Sequence, residues 1–395
     1  MAFHKLHILL VGGGHAMLPV VESAKKWRER GHVITLISDH PWLYYSGMVP
    51  EYLGGVYRED QVRIDLRKMA DKSGISFTES NATELIPGKK TLILENGQSL
   101  TYDLAVFNIG TLPPKKTGNN SECVVPSKPM HSIRKLVEFV AHCKDHPGEL
   151  LIVGGGAAGV EVALNVGGRL NDQIQSGSFS LHLYEQSERL LPDFPTGMSK
   201  YVYKLLSERG ARIHFQSTFE PRDESTDSKR MIFWATGTRS NSIFGDAGMS
   251  VDDSGFMRVH RTLQSIDDPH ILGAGDCIAI DDIGPLRKIG VHAVKQGPLL
   301  TQNLDALISA MEAGDRTTEK SLANFRPYPV NPLILSTGQA DGLWVAGSFW
   351  IHGKMMLKLK HYIDRKWIRA YLSNPDEWKS LALLTEAENA KTVNR

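Results

Sequence analysis

At 395 residues the chain is too long for one ordinary core and asks for two or three domains. A net charge of +1 gives no electrostatic pull toward nucleic acid. Three scattered cysteines (Cys123, Cys143 and Cys277) argue against a zinc cage, a disulfide framework and a CxxC dithiol, and fit a reducing, cytoplasmic compartment. No run approaches the ~20 apolar residues needed to cross a bilayer. The apolar start of MAFHKLHILLVGGGHAMLPVV is broken by glycines too early for a secretory signal.

In chain order, LHILLVGGGHAM reads as a buried parallel strand, a glycine turn and a helix start. Gly12 and Gly14 permit the tight turn, and the N–H groups that follow at His15 and Ala16 face the place where a pyrophosphate sits. Met17 holds the third glycine position, Pro19 falls early in the helix, and the strand HVITLIS ends at Ser38 with Asp39 next. The segment DHPWLYYSGMVPEYLGG follows, with aromatics, Gly47 and no cysteine. A further apolar strand, YDLAVFNIGT, closes on Gly110. GTLPPKKTGNNSE has the composition of a domain hinge.

LLIVGGGAAGVEVALNV repeats the first plan with complete spacing: Gly154, Gly156 and Gly159 between a strand and a helix. The next strand, SLHLYEQ, ends in Glu185, which can accept bonds from both ribose hydroxyls of NADH and repels the 2′-phosphate of NADPH. QSTFEPRDESTDSKR is polar and charged, and WATG ends on Gly237. HILGAGDCIAI offers Gly275 for close backbone approach and Asp276 for a ribityl hydroxyl, with Cys277 packing as a small apolar residue. In RKIGVHAVKQGPLLTQNL, the first helical turn (Val291, His292 and Ala293) points its N–H groups at an electron-rich flavin edge. His292 by itself reads first as a solvated or satisfied histidine. LILSTGQADGLWVAGSFWI follows as short strands with a turn at Asp341-Gly342. In the tail, Met356, Leu359, Ile363, Trp367 and Ala370 share one helical side, and six Lys/Arg from Lys354 to Arg369 stand against Asp364. Such a helix lies on an anionic membrane surface, or packs on the flavin domain or on a second subunit of a homodimer.

Taken together, the glycine cluster at Gly12–Gly14, the complete one at Gly154–Gly159, WATG and GAGD resemble the FAD-dependent pyridine nucleotide–disulfide oxidoreductase superfamily, over roughly residues 5 to 310. GGGHAMLPV with YSGMVPEYLGG and IDL is similar to the flavoprotein segment fused to some selenide, water dikinases. The broader pattern, with GVEVA and a basic tail, resembles type II NADH dehydrogenases. The resemblance implies an α/β fold of two Rossmann-like three-layer dinucleotide-binding domains of the glutathione-reductase type, plus a small C-terminal α+β region. It implies FAD bound by 1–110 with 250–325, NADH bound by 111–249, and residues 326–395 as that last region, with the segment after the second strand lying over the flavin. It carries the glutamate of GVE onto Glu161, beside nicotinamide and flavin; read from the sequence alone, Glu161 is equally a helix residue facing polar backbone.

One departure concerns the helix after GAGD, where Val291 and Lys295 stand at positions that type II enzymes give to glutamines. Without cysteines near Tyr45, no protein dithiol takes the electrons, and a sulfide:quinone reaction is disfavoured. The expected enzyme oxidises NADH through FAD and reduces a quinone-like acceptor; Tyr44 and Tyr45 read first as core aromatics, and otherwise as donors to an acceptor oxygen. The alternatives are a reductase for a redox carrier protein such as ferredoxin or rubredoxin, and a non-catalytic flavoprotein that senses NADH.

Overall fold

The computed structural model describes residues 5–114, 123–219, 229–284, 286–314, 322–338 and 341–372. The hinge stretch 110–122 and the charged stretch 216–230 lie partly outside these residues.

Two five-stranded parallel sheets organise the chain. In the first, His7–Val11 lies between Val33–Ser38 and Leu104–Phe107, with Ser76–Glu79 at one edge and Ile271–Gly273 at the other. The second runs Val124–Pro126, Arg230–Trp234, Gly148–Val153, Phe179–Tyr184, Arg212–His214. The strand Ile271–Gly273, coming after the whole second sheet, completes the first. Central strands such as ILLV at Ile8–Val11 are apolar throughout because helices or loops cover both faces of a parallel sheet.

Each glycine turn feeds a helix under its sheet. Leu18–Glu29 begins with Pro19 in its first turn, where no N–H partner is lost. It buries Leu18, Val20, Val21, Ala24 and Trp27 at helical spacing. Ala157–Arg169 is buried from Gly159 to Gly167. A long helix, Gly290–Ala313, packs across the first, and its Gly297 faces Ala16 and Pro19 too closely for a side chain. It stops at Gly314, which takes the left-handed conformation.

Beyond these, Leu333–Ser336, Gly342–Ala346 and Phe349–Gly353 form an antiparallel sheet, from which the basic helix Lys354–Arg369 runs. Main-chain pairing begins at Gly342, so the expected turn at Asp341-Gly342 lies at the start of the middle strand. The largest apolar core runs continuously from Leu6 to Ile368. A small separate cluster (Leu151, Val153, Ile232 and Trp234) backs the second sheet.

Candidate functional site

A cleft of about 240 Å³ opens at the carboxyl ends of the first sheet. Gly12, Gly14 and His15 line it from the first turn, Ser38 and Asp39 from the next strand end, and Gly110 from the third. Asp276 and Ala293 close it from the later chain. Gly12 has φ +92°, and a side chain there would run into the Asn108 backbone 2.5 Å away. A side chain on Gly14 would strike the Asn108 amide. The turn therefore offers bare backbone to the cleft, as a pyrophosphate requires.

Three residues that sequence reasoning missed hold this geometry. Asn108 is buried; its Oδ1 accepts from the Ala16 N–H at 3.1 Å and its Nδ2 donates to the Ala274 carbonyl at 2.6 Å, tying the glycine turn to GAGD. Gln296 accepts the Gly275 N–H at 2.6 Å, fixing GAGD to the long helix. Lys128, from the second sheet's side of the chain, forms an ion pair with Asp276 inside the cleft. A polar side chain in FNIGT and a glutamine near GAGD were the only signals of the first two.

Ala16, Gly275, Val291 and His292 sit around the cleft rather than along it. Ala16 is fully buried with its N–H engaged by Asn108. Gly275 takes φ +76° against the Asn108 amide. Val291 is half-buried, and His292 turns its ring edge to Phe325 with Nδ1 buried and unpartnered among the described residues. Burial and then Lys295 hold the His292 pKa below its usual value. Ser38 donates to the His40 carbonyl at 2.9 Å, and His40 stacks on His131 across the cleft mouth with centroids 4.5 Å apart.

The aromatic segment folds toward the basic helix. Tyr45 stacks on Trp367 at 4.2 Å and leans on His15 at 5.7 Å. Burial pushes the His15 pKa down to about 4 against the pull of Asp276, so the ring is neutral at physiological pH. Its Nε2 is buried without a partner among the described residues. The Tyr45 hydroxyl donates to Asp364 at 3.1 Å, and the Gly47 carbonyl accepts from Lys360 at 2.5 Å. No cysteine lines the cleft; Cys277 is buried beside it, its thiol raised to about 11 by burial.

At the second turn, Gly154 has φ +112° and a side chain on Gly159 would collide with the Gly154 carbonyl. Gly156 caps the helix start. Glu185 accepts from the Gly155 N–H with one oxygen and from the Ser187 N–H with the other, both at 2.7 Å. Gly237, at φ +56°, follows the neighbouring strand. Glu161 points away from this turn to Ser336, whose N–H it accepts at 2.7 Å. Burial raises its pKa to about 8, with Lys360 opposing.

Two bare glycine turns, each at the end of a parallel strand and the start of a helix, fit two dinucleotides. The family model described as pyridine nucleotide-disulphide oxidoreductase matches residues 6–303. The chain belongs to this family. It is an NADH-dependent flavoprotein oxidoreductase with FAD and NADH as cofactors, and its α/β fold is the one expected from sequence. A type II NADH:quinone oxidoreductase of Haemophilus influenzae is 23% identical over 91% of this chain and 97% of its own. An NADH-rubredoxin oxidoreductase of Clostridium acetobutylicum is 25% identical over 60% and 59%. NDH2 of Plasmodium falciparum in complex with NADH shares the fold, with a TM-score of 0.77, 14% identity and 97% of each chain covered.

Proposed function

We propose that the chain passes electrons from NADH to a quinone-like acceptor. The observation that carries this reading is the Tyr45–Trp367 stack packed behind the neutral His15, which itself lines a cleft with no thiol. A flat, weakly polar acceptor suits such a wall. The Haemophilus influenzae relative supports the same acceptor class.

In this reading, residues 1–110 and 250–325 hold FAD, 111–249 hold NADH, and 326–395 are the C-terminal region that carries the basic helix. Gly12, Gly14 and the His15 N–H receive the flavin pyrophosphate, Ser38 and Asp39 the ribose, and Asp276 a ribityl hydroxyl. Lys128 adds the cation that a diphosphate needs. The first turn of the Gly290 helix places its positive end toward the flavin ring. Gly154, Gly156, Gly159 and Glu185 receive NADH in preference to NADPH. FAD supplies two-electron exchange when bound. The protein aligns donor and acceptor, excludes water, and manages protons through Glu161 and Tyr45.

The basic helix supports a second role for the same chain. Met355, Leu359, Tyr362 and Ile363 are exposed on it, with Lys358 and Lys366 also at the surface. Apolar residues flanked by lysines suit the interface of an anionic membrane. A redox carrier protein with an acidic face is the competing partner.

Anaerobic reduction tests the main reading. The protein should be yellow, bleach with NADH and recover its colour with quinones. Recovery only with rubredoxin- or ferredoxin-like carriers, in a salt-sensitive manner, would replace the quinone by a protein partner. A colourless protein that takes up no flavin would end both.

A further inference from the structure

Reducing a quinone to its hydroquinone with NADH takes two electrons and two protons. The hydride carries one proton and solvent must supply the other. A connected set of side chains runs from Tyr45, packed behind the cleft-lining His15, to the surface. The Tyr45 hydroxyl donates to Asp364 Oδ1 at 3.1 Å, and Asp364 Oδ2 accepts from Lys360 Nζ at 2.7 Å. Lys360 also donates to Glu51 Oε2 at 2.9 Å, and Glu51 Oε1 meets His361 Nε2 at 2.5 Å. Lys360, Glu51 and Asp364 are nearly inaccessible, whereas the His361 side chain is 22% exposed. We propose that the Tyr45–Asp364–Lys360–Glu51–His361 chain carries the solvent proton to the acceptor, with His361 as its outer end. This rests on the quinone reading above.

The transfer balances without net change in the protein. Tyr45 gives its hydroxyl proton to the acceptor oxygen and is refilled from Asp364. Asp364 takes a proton from Lys360 as Glu51 returns one to it, so the ammonium is never left neutral in its buried place. Glu51 is refilled from His361, and His361 from water. Each carboxyl receives on one oxygen and gives from the other after a rotation. Three acceptors surround the Lys360 ammonium, namely Gly47, Glu51 and Asp364, which fits a pivot between two carboxylates. A structural ion pair alone would not require the outer carboxylate oxygen to meet a surface histidine. His361 meets Glu51 and stands edge-on to the Tyr57 ring at 5.8 Å, and Arg365 lies over that same ring at 5.7 Å.

The test uses the whole 395-residue chain with His361→Gln and, separately, Asp364→Asn, which keeps an acceptor for Tyr45 but cannot shuttle a proton. Two quantities are read: solvent exchange of the Tyr45 hydroxyl proton by NMR, and recolouring of NADH-bleached protein by a soluble benzoquinone. The relay predicts that both slow roughly tenfold or more in either variant, and that added imidazole restores His361→Gln. Bleaching by NADH and the thermal midpoint of His361→Gln should match the wild type. Unchanged exchange and recolouring would overturn the relay, as would slowing that imidazole leaves untouched. If the wild type bleaches yet refuses every quinone, the acceptor reading fails, and hydroxyl exchange still judges the relay.

Discussion

Glu185 holds the second glycine turn with one oxygen and the Ser187 amide with the other, which aims the carboxylate along the rim of that turn. A carboxylate has about four lone-pair sites, so two remain for ribose hydroxyls. Glu185→Ala should bring the NADH and NADPH bleaching rates together; equal rates in the wild type would refute this role. Glu161 has a pH signature of its own. Its pKa rises from 4.5 to about 8, so between those values the folded chain keeps a proton that the unfolded chain has lost. Stability must therefore fall as pH climbs through that window. Glu161→Gln should flatten the fall in denaturation experiments at mildly acidic and mildly alkaline pH, and parallel curves would dismiss Glu161 as its source.

The basic helix follows its sequence pattern only in part. Of the side marked by hydrophobic spacing, Met356 and Trp367 are half-buried but Leu359, Ile363 and Ala370 are exposed, whereas Lys360, Asp364 and Ile368 are buried. The inward face is tolerable because Lys360 meets two carboxylates and a carbonyl, leaving no buried charge alone. Lys360→Met removes the shared cation and should cost about 3–5 kcal/mol of stability in chemical denaturation. Leu359→Ser, at the exposed side, should change stability by roughly 0.5 kcal/mol or less. Comparable losses at both positions would mean that the helix is not held through its charges. The glycine turns obey a stricter rule. Gly159→Ala forces a methyl group onto the Gly154 carbonyl, and both stability and NADH bleaching should suffer.

For the molecule as a whole, Phe349 and Ile351 of the strand that leads into that helix are exposed as well. Among the described residues, no helix is long and apolar enough to cross a membrane, so attachment through this surface would be peripheral. The chain should co-sediment with vesicles containing an anionic lipid, less so as salt rises. Leu359→Ser combined with Ile363→Ser should release it. Equal sedimentation with neutral and anionic vesicles, or none at all, would remove the membrane from the account.

Much of the nucleotide-binding framework was legible because its demands are local. A turn that needs φ near +92° or +112° selects glycine, and a strand covered on both faces selects an apolar run; each mark is readable within a dozen residues. The fastening of the site was not. Asn108 reaches Ala16 across 92 residues of sequence, and Lys360 reaches Gly47 across 313. A polar side chain carries no sign in sequence of which distant partner will satisfy it. The direction of the basic helix was undecided for the same reason. Periodicity identified its apolar side and put Asp364 one turn from Lys360, but only Glu51 and the Gly47 carbonyl, brought beside Lys360 by the fold, could make the charged side the one to bury.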